Sequence, residues 1–537
     1  MRGRLSCLIV SLLFVLSLLQ SQVFASHLKI DKVLVSEVNT AKQAARIQLN
    51  VSWDNAWKDD VSCDGVWVFA KYQAADGLWK HVNLKTASAK AFDYADQTPE
   101  SFSKGGNADL GMWVPEEKKG AFLFRTKGKG TTVSDKVELI WEYAKSGLTD
   151  DAVMKSQVKV FGVEMVYIPE DKHHIGDPNG PTGPDNCFYT FPSNGTYLIK
   201  SEDAILVDKV EGAMYCDQDN VRSREDVPFT IPKEFPKGFK AMWMMKYELT
   251  SQQFADFLNT LTRKQQQSMV ESDISGDEIK DYYVKTKKDV EYLRCSIVTA
   301  KKGNGTTDPV KFYTYAPARA LNFMSWANIT AYGDWAGLRP ITELEYEKAC
   351  RGPAEPVADE YAWGTKDLGR ADTFDGADGS GFEKKVPQKG IVNCCFGGGI
   401  APFDIAAGKK IPDNPGFEGP VTGELFENSQ HEGVPEKINN GASYYGVRNL
   451  CGNTWERCVT VGHNLGRVYN GVHGDGELTE DGYSNVPNWP GKDGAGAGNR
   501  GGVWSSPGGK FLRFALRFAA NFPKSEDGKN SGCRLGF

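Results

Sequence analysis

The chain of 537 residues is poor in several features that would have placed it quickly. It has only seven histidines, and none falls in an H-x-x-x-H-x-E spacing, which removes a histidine-rich iron site of that kind. Its cysteines form no zinc pattern: Cys394 and Cys395 are adjacent, and Cys451 and Cys458 lack a second pair or histidines at finger spacing. From Val459 to Gly532 there is no cysteine at all. Neither sign of charge dominates, and a net charge of −6 offers no footprint for nucleic acid or an anionic membrane surface. Past the N-terminus no apolar run is long enough to span a bilayer, so no membrane span is expected in the mature chain.

Aromatic residues and glycine are plentiful, which points to a loop-rich β architecture with aromatic anchors. The 40% hydrophobic and 25% charged fractions are those of a soluble globular protein, and the length suggests two or three domains. Residues 1–25 read as a signal peptide. Arg2 and Arg4 precede an apolar run from Leu5 to Leu19, and Val23-Phe24-Ala25 sets cleavage before Ser26. The expected address is export: periplasm, cell surface or secretion. Ten cysteines then remain, and an oxidising compartment would pair some of them.

Residues 26–158 read as a separate all-β sandwich. Ile47, Leu49, Val51 and Trp53 alternate with polar residues, as in a half-buried strand. Val66–Ala70, Ala121–Phe124 and Val137–Trp141 are short apolar runs separated by turn-rich pieces. His81 stands alone there and carries no chemistry. A second domain, 160–537, opens at Met165-Val166-Tyr167-Ile168-Pro169. His173 and His174 point to opposite faces of a strand and do not chelate one ion easily. Thr250 with Gln253, and Thr342 with Glu345, are capping boxes that start helices. Residues 260–311 are polar and read as a helical insertion and then a loop. Glu343, Glu345 and Glu347 invite an acid/base role, but glutamates near a helix start serve first to offset the dipole.

The ordered series Lys246-Tyr247-Glu248-Leu249-Thr250, Arg339-Pro340-Ile341-Thr342-Glu343, Tyr361-Ala362-Trp363-Gly364, Gly452-Asn453-Thr454-Trp455-Glu456, Arg500-Gly501-Gly502-Val503-Trp504, Arg513-Phe514-Ala515-Leu516-Arg517 and Gly532-Cys533-Arg534 resembles the motifs of the formylglycine-generating enzyme, or sulfatase-modifying factor, family. The resemblance implies an α+β, loop-rich, C-type-lectin-like fold behind the sandwich. It implies structural calcium on Asn453, Thr454 and Glu456, with a second site near Asn393 and Cys394. It also implies a bridge between Cys350 and Cys533. The family's enzyme binds Cu(I) on two cysteines between R-G-G-x-W and R-x-A-x-R. Here that stretch holds Ser505 and Ser506 and no cysteine, and a hydroxyl is not a Cu(I) ligand, so copper and formylglycine generation are not expected. Cysteine-free relatives include proteins of siderophore maturation, for which His463 and His473 are the candidate groups. Others are variable binding proteins, which would display Trp504, Ser505, Ser506, Lys510, Phe511, Arg513, Phe514, Phe518 and Asn521. The resulting expectation is a non-catalytic member that binds a protein or small-molecule ligand. The alternative is an oxygen-dependent oxidoreductase using other residues.

Overall fold

The computed structural model describes residues 27–85, 110–180, 186–217, 224–385, 390–398, 417–427, 433–522 and 528–537. The expected signal peptide lies outside the described residues. The chain is mixed α/β, with many short strands and few helices. It begins with strands β1 (Lys29–Asn39), β2 (Ala44–Lys58), β3 (Asp64–Gln73), β4 (Trp79–His81), β5 (Leu110–Trp113), β6 (Ala121–Arg125), β7 (Gly128–Trp141) and β8 (Val158–Ile168).

Strands β1, β2 and β7 form one antiparallel sheet. Along β2 the alternation holds: Ile47, Leu49, Val51 and Trp53 are buried and their neighbours are partly exposed. This face packs on Val66, Val68, Leu123 and Val160 of a second, larger sheet. The opposite face of that larger sheet is also covered. Trp67, Phe69, Phe122 and Phe161 join a cluster with Trp243, Trp335 and Phe537. Burial on both faces is why β3 and β6 read as unbroken apolar runs rather than as alternation.

The larger sheet does not end with the N-terminal strands. In order it runs through Arg339–Pro340, Leu535–Gly536, Met242–Met245, β8, β3, β6 and β5, with β4 also pairing β3. The expected boundary near 158–160 falls at the start of β8, which is registered along β3 from Val158 opposite Tyr72 to Val166 opposite Asp64. On its other side β8 pairs Met242–Met245. The N-terminal strands therefore share a sheet with later parts of the chain. Trp67 Nε1 donates to Ala336 O at 2.8 Å, and the Phe122 ring stacks on Trp243 at 4.3 Å.

The helices start where the caps place them. Thr250 and Gln253 bond reciprocally ahead of Ser251–Leu258, and Thr342 and Glu345 do so ahead of Glu343–Arg351. The expected helical insertion is mostly not helical. A helix covers Arg263–Met269 and stops at Val270, which turns extended. Beyond it lie turns and a small pair of strands, Ile297–Thr299 with Phe312–Thr314. The run Asp273-Ile274-Ser275-Gly276, with the Asp273 carboxylate accepting from the Ser275 amide at 2.8 Å, supplies the local hydrogen bonds that compete with a helix.

All ten described cysteines are unbridged and buried. The expected bridge from Cys350 to Cys533 is not formed, because the two thiols pack into different clusters. No helix among the described residues is long and apolar enough to cross a membrane.

Candidate functional site

Arg500 begins the segment on which the candidate site is built. Glu456–Val459 pairs antiparallel with Ala497–Arg500, and Arg500 then turns its guanidinium into the core. Nη1 donates to Glu343 Oε2 at 2.9 Å, and Nη2 donates to Glu347 and to Phe514 O. Arg517 closes the other end: its Nε lies 2.7 Å from Glu343 Oε2, and its guanidinium sits over the Phe188 ring at 3.9 Å. Burial pushes the Glu343 carboxyl up, but Arg517 and Arg500 outweigh it and hold the group below its usual range. Glu345 caps its own helix and pairs with Arg339 at 2.7 Å. The three glutamates are thus consumed in fixing the frame and are not placed for acid/base work.

Between the two arginines the chain makes a tight return. Gly501 and Gly502 have φ of 88° and 72°. A Cβ at Gly501 would lie 2.6 Å from Leu450 O, and one at Gly502 would lie 2.5 Å from Phe511 O. Glycine is needed here for conformation and for space. The return brings the Trp504 amide to Asn453 O at 2.8 Å. Ser506 Oγ accepts from the Val503 amide at 2.9 Å, and Ser505 Oγ donates to Asn530 Oδ1 at 3.1 Å. Both hydroxyls are thus engaged in closing loops.

The expected display residues divide. Trp504 and Phe514 are buried, so the expected aromatic face is largely core. Phe511 and Phe518 are half-buried with ring centroids 6.0 Å apart, and Lys510 lies exposed above Phe511. Asn521 is half-buried. Arg513 pairs with Asp359 at 2.8 Å. His463 caps the short helix Asn464–Arg467 through Nδ1, with Nε2 3.7 Å from Glu225. His473 stacks on Phe537 at 4.0 Å, and its Nδ1 is 3.3 Å from Glu117. Burial draws the His473 pKa down, against the bond to Glu117. Among the described residues neither histidine has a hydrogen bond or ion pair to Ser505 or Ser506.

Most of the expected calcium ligands already have protein partners, although Glu456 Oε2 has none among the described residues. Asn453 Oδ1 accepts from the Val421 amide at 2.8 Å, and its Nδ2 donates to Glu248 at 2.9 Å. Thr454 Oγ1 lies 3.4 Å from the same carboxylate. Glu456 Oε1 meets Arg534 Nε at 2.7 Å. Burial lifts the Glu456 carboxyl to about 7, Arg534 draws it back, and Glu248 adds to the rise. Asn393 Oδ1 accepts from the Gly369 amide at 3.0 Å, and Cys394 Sγ points at Cys451 O. A calcium ion needs six to eight oxygens facing it. Here an amide NH2 and a guanidinium face the carboxylates instead, and the side chains as arranged do not fit that ion. Among the described residues no group of three or more His, Cys, Asp or Glu could hold a metal.

Reading the sequence missed one feature of this segment, a shallow cleft of about 20 Å³, room for about one water. Asp177, Gly180, Asn186, Cys187, Arg513, Ala515 and Leu516 line it. Asn186 is 3% exposed and accepts at its backbone from the Arg517 amide, while its Oδ1 has no partner among the described residues. Burial pushes the Cys187 thiol up to about 12, so it is not a thiolate. The local signal was faint: a Gly/Pro-rich stretch after Ile175-Gly176-Asp177.

A second omission is Lys246. Its Nζ is 3.1 Å from Asp64, 3.5 Å from Glu164 and 3.6 Å from Glu427. Burial pulls the ammonium down, but these carboxylates hold it above its ordinary value. The pairing ties the second part of the chain to β3.

The model of the sulfatase-modifying factor enzyme 1-like domain matches residues 211–537, and the chain belongs to that family. The comparison with curated proteins gives no match.

Proposed function

We propose that this chain is an exported, non-catalytic member of the sulfatase-modifying factor family that binds a protein or small-molecule ligand. The observation that carries the reading is the state of Ser505 and Ser506. The resemblance puts the first copper thiolate near Ser505 or Ser506, and these hydroxyls are engaged with Asn530 and the Val503 amide. The described thiols near this segment are buried, and burial raises Cys394, Cys395 and Cys451 well above the ordinary range for a thiol. Ligand contact falls to what remains accessible on the same segment: Lys510, Phe511, Arg513 and Phe518.

The test is direct. The full chain, supplied with Cu(I) and oxygen, is incubated with a Cys-x-Pro-x-Arg peptide, and aldehyde is read by hydrazine capture and mass spectrometry. No aldehyde is expected. Turnover above a no-protein control overturns the reading.

A further inference from the structure

Five of the chain's 20 tyrosines fall between residues 282 and 315, outside the frame that holds the arginine loop. They are not scattered. Ile297–Thr299 pairs with Phe312–Thr314, placing Val298 opposite Tyr313, and Tyr283 bridges Val298 from the other side. Directly opposed residues share a face, so Tyr283, Val298 and Tyr313 form one cross-strand row. Val298 is fully buried, whereas Tyr313, Tyr292 and Tyr315 are 38%, 45% and 64% exposed. The rings come in neighbouring sets. Tyr282 and Tyr283 lie 5.1 Å apart, Tyr313 and Tyr315 lie 5.8 Å apart, and Tyr292 lies 6.2 Å from Phe323. Lys301 sits over Tyr282 at 4.5 Å, and Lys288 over Tyr292 at 5.7 Å.

Packing explains Tyr282 and Tyr283, which cover the hairpin. It does not explain Tyr292 and Tyr315, whose rings stay in water and gain little from burial. An exposed group of large aromatic rings marks a binding surface. The chemistry on offer is the ring faces and phenol hydroxyls of Tyr313 and Tyr315, with two ammonium groups over the neighbouring Tyr282 and Tyr292 rings. A pyranose matches it: one apolar C–H face to lie on a ring, and an equator of hydroxyls to bond at the rim. The aliphatic side chains Ile297 and Val298 lie buried rather than at the surface, so the hairpin offers no aliphatic groove for a peptide helix.

We propose that this tyrosine surface binds a polysaccharide, with sugar rings laid on Tyr313 and Tyr315. Neutral and acidic polysaccharides share the pyranose face, and Lys288 and Lys301 add attraction for an acidic one. The proposal stands apart from the non-catalytic reading, since aldehyde formation at the other site would leave it intact.

The full chain is run by native electrophoresis through gels containing galactomannan, xylan, alginate or chondroitin sulfate. Retardation is expected in at least one. The Tyr313→Ala/Tyr315→Ala variant, at these exposed positions, should keep the wild-type Tm and lose about tenfold in affinity. Tyr315→Phe should retain binding. Lys288→Ala/Lys301→Ala should weaken only the acidic gels. Migration unchanged in all four gels overturns the proposal. So does retardation that survives the double tyrosine variant, or tyrosine-dependent capture of a protein in place of any polysaccharide.

Discussion

Arg500 is a fully buried cation whose place is set by two carboxylates and one carbonyl. Removing it leaves Glu343 with Arg517 but strips Glu347 of its only ion pair among the described residues. A buried charge left unpaired costs about 3–5 kcal/mol. Arg500→Ala should therefore lower the free energy of urea unfolding by that much, and a change near zero would contradict the geometry. Lys71 makes a second single-residue prediction. Its ammonium is fully buried and donates to Gly476 O at 2.8 Å. Burial lowers its pKa to about 7, against Glu477 and Asp334, which raise it. In the unfolded chain the group keeps its proton to about 10.4. Between these values the unfolded state binds more protons, so stability rises with pH. Lys71→Met should abolish a gain on the order of 2 kcal/mol between pH 7 and 9, read from denaturation at both.

At the scale of the element, the return from Arg500 to Arg517 depends on Gly502. Alanine there keeps a φ of 72° and drives Cβ toward Phe511 O, so Gly502→Ala should cost about 2 kcal/mol or more. Gly508→Ala is the control: its φ is −179° and no atom would meet the added Cβ within 4 Å. Thermal unfolding should separate the two, and equal melting points would refute the account. These elements also show what a sequence discloses. The boxes at Thr250–Gln253 and Thr342–Glu345 were legible because both partners lie within one turn. The order of motifs gave the frame for the same reason. The cleft was not legible, because Asn186 meets Arg517 across more than three hundred residues and nothing local marks it. Trp504 and Phe514 were misread as display residues because an aromatic on a loop looks the same in sequence whether it faces water or the core. The tyrosines at 313 and 315 were visible as composition, but their exposure depends on a pairing that the polar insertion did not advertise.

Across the whole molecule the continuous sheet decides the cooperativity. β8 is bonded to β3 on one side and to Met242–Met245 on the other, and Lys246 is locked to Asp64 and Glu164. Strands bonded into one sheet tend to open as one cooperative unit. Calorimetry should show no separate transition for the N-terminal strands, and a resolved peak that disappears when they are deleted would mean that they melt alone. The same sheet sets an order of events during synthesis. Leu535–Gly536 inserts between Arg339–Pro340 and Met242–Met245, and Phe537 exchanges both backbone bonds with Trp243. Those residues leave the ribosome after every strand they join. Until then Met242-Trp243-Met244-Met245 is an apolar edge with open backbone groups, the kind of edge that recruits other chains. A copy truncated before Leu535 thus keeps that edge open.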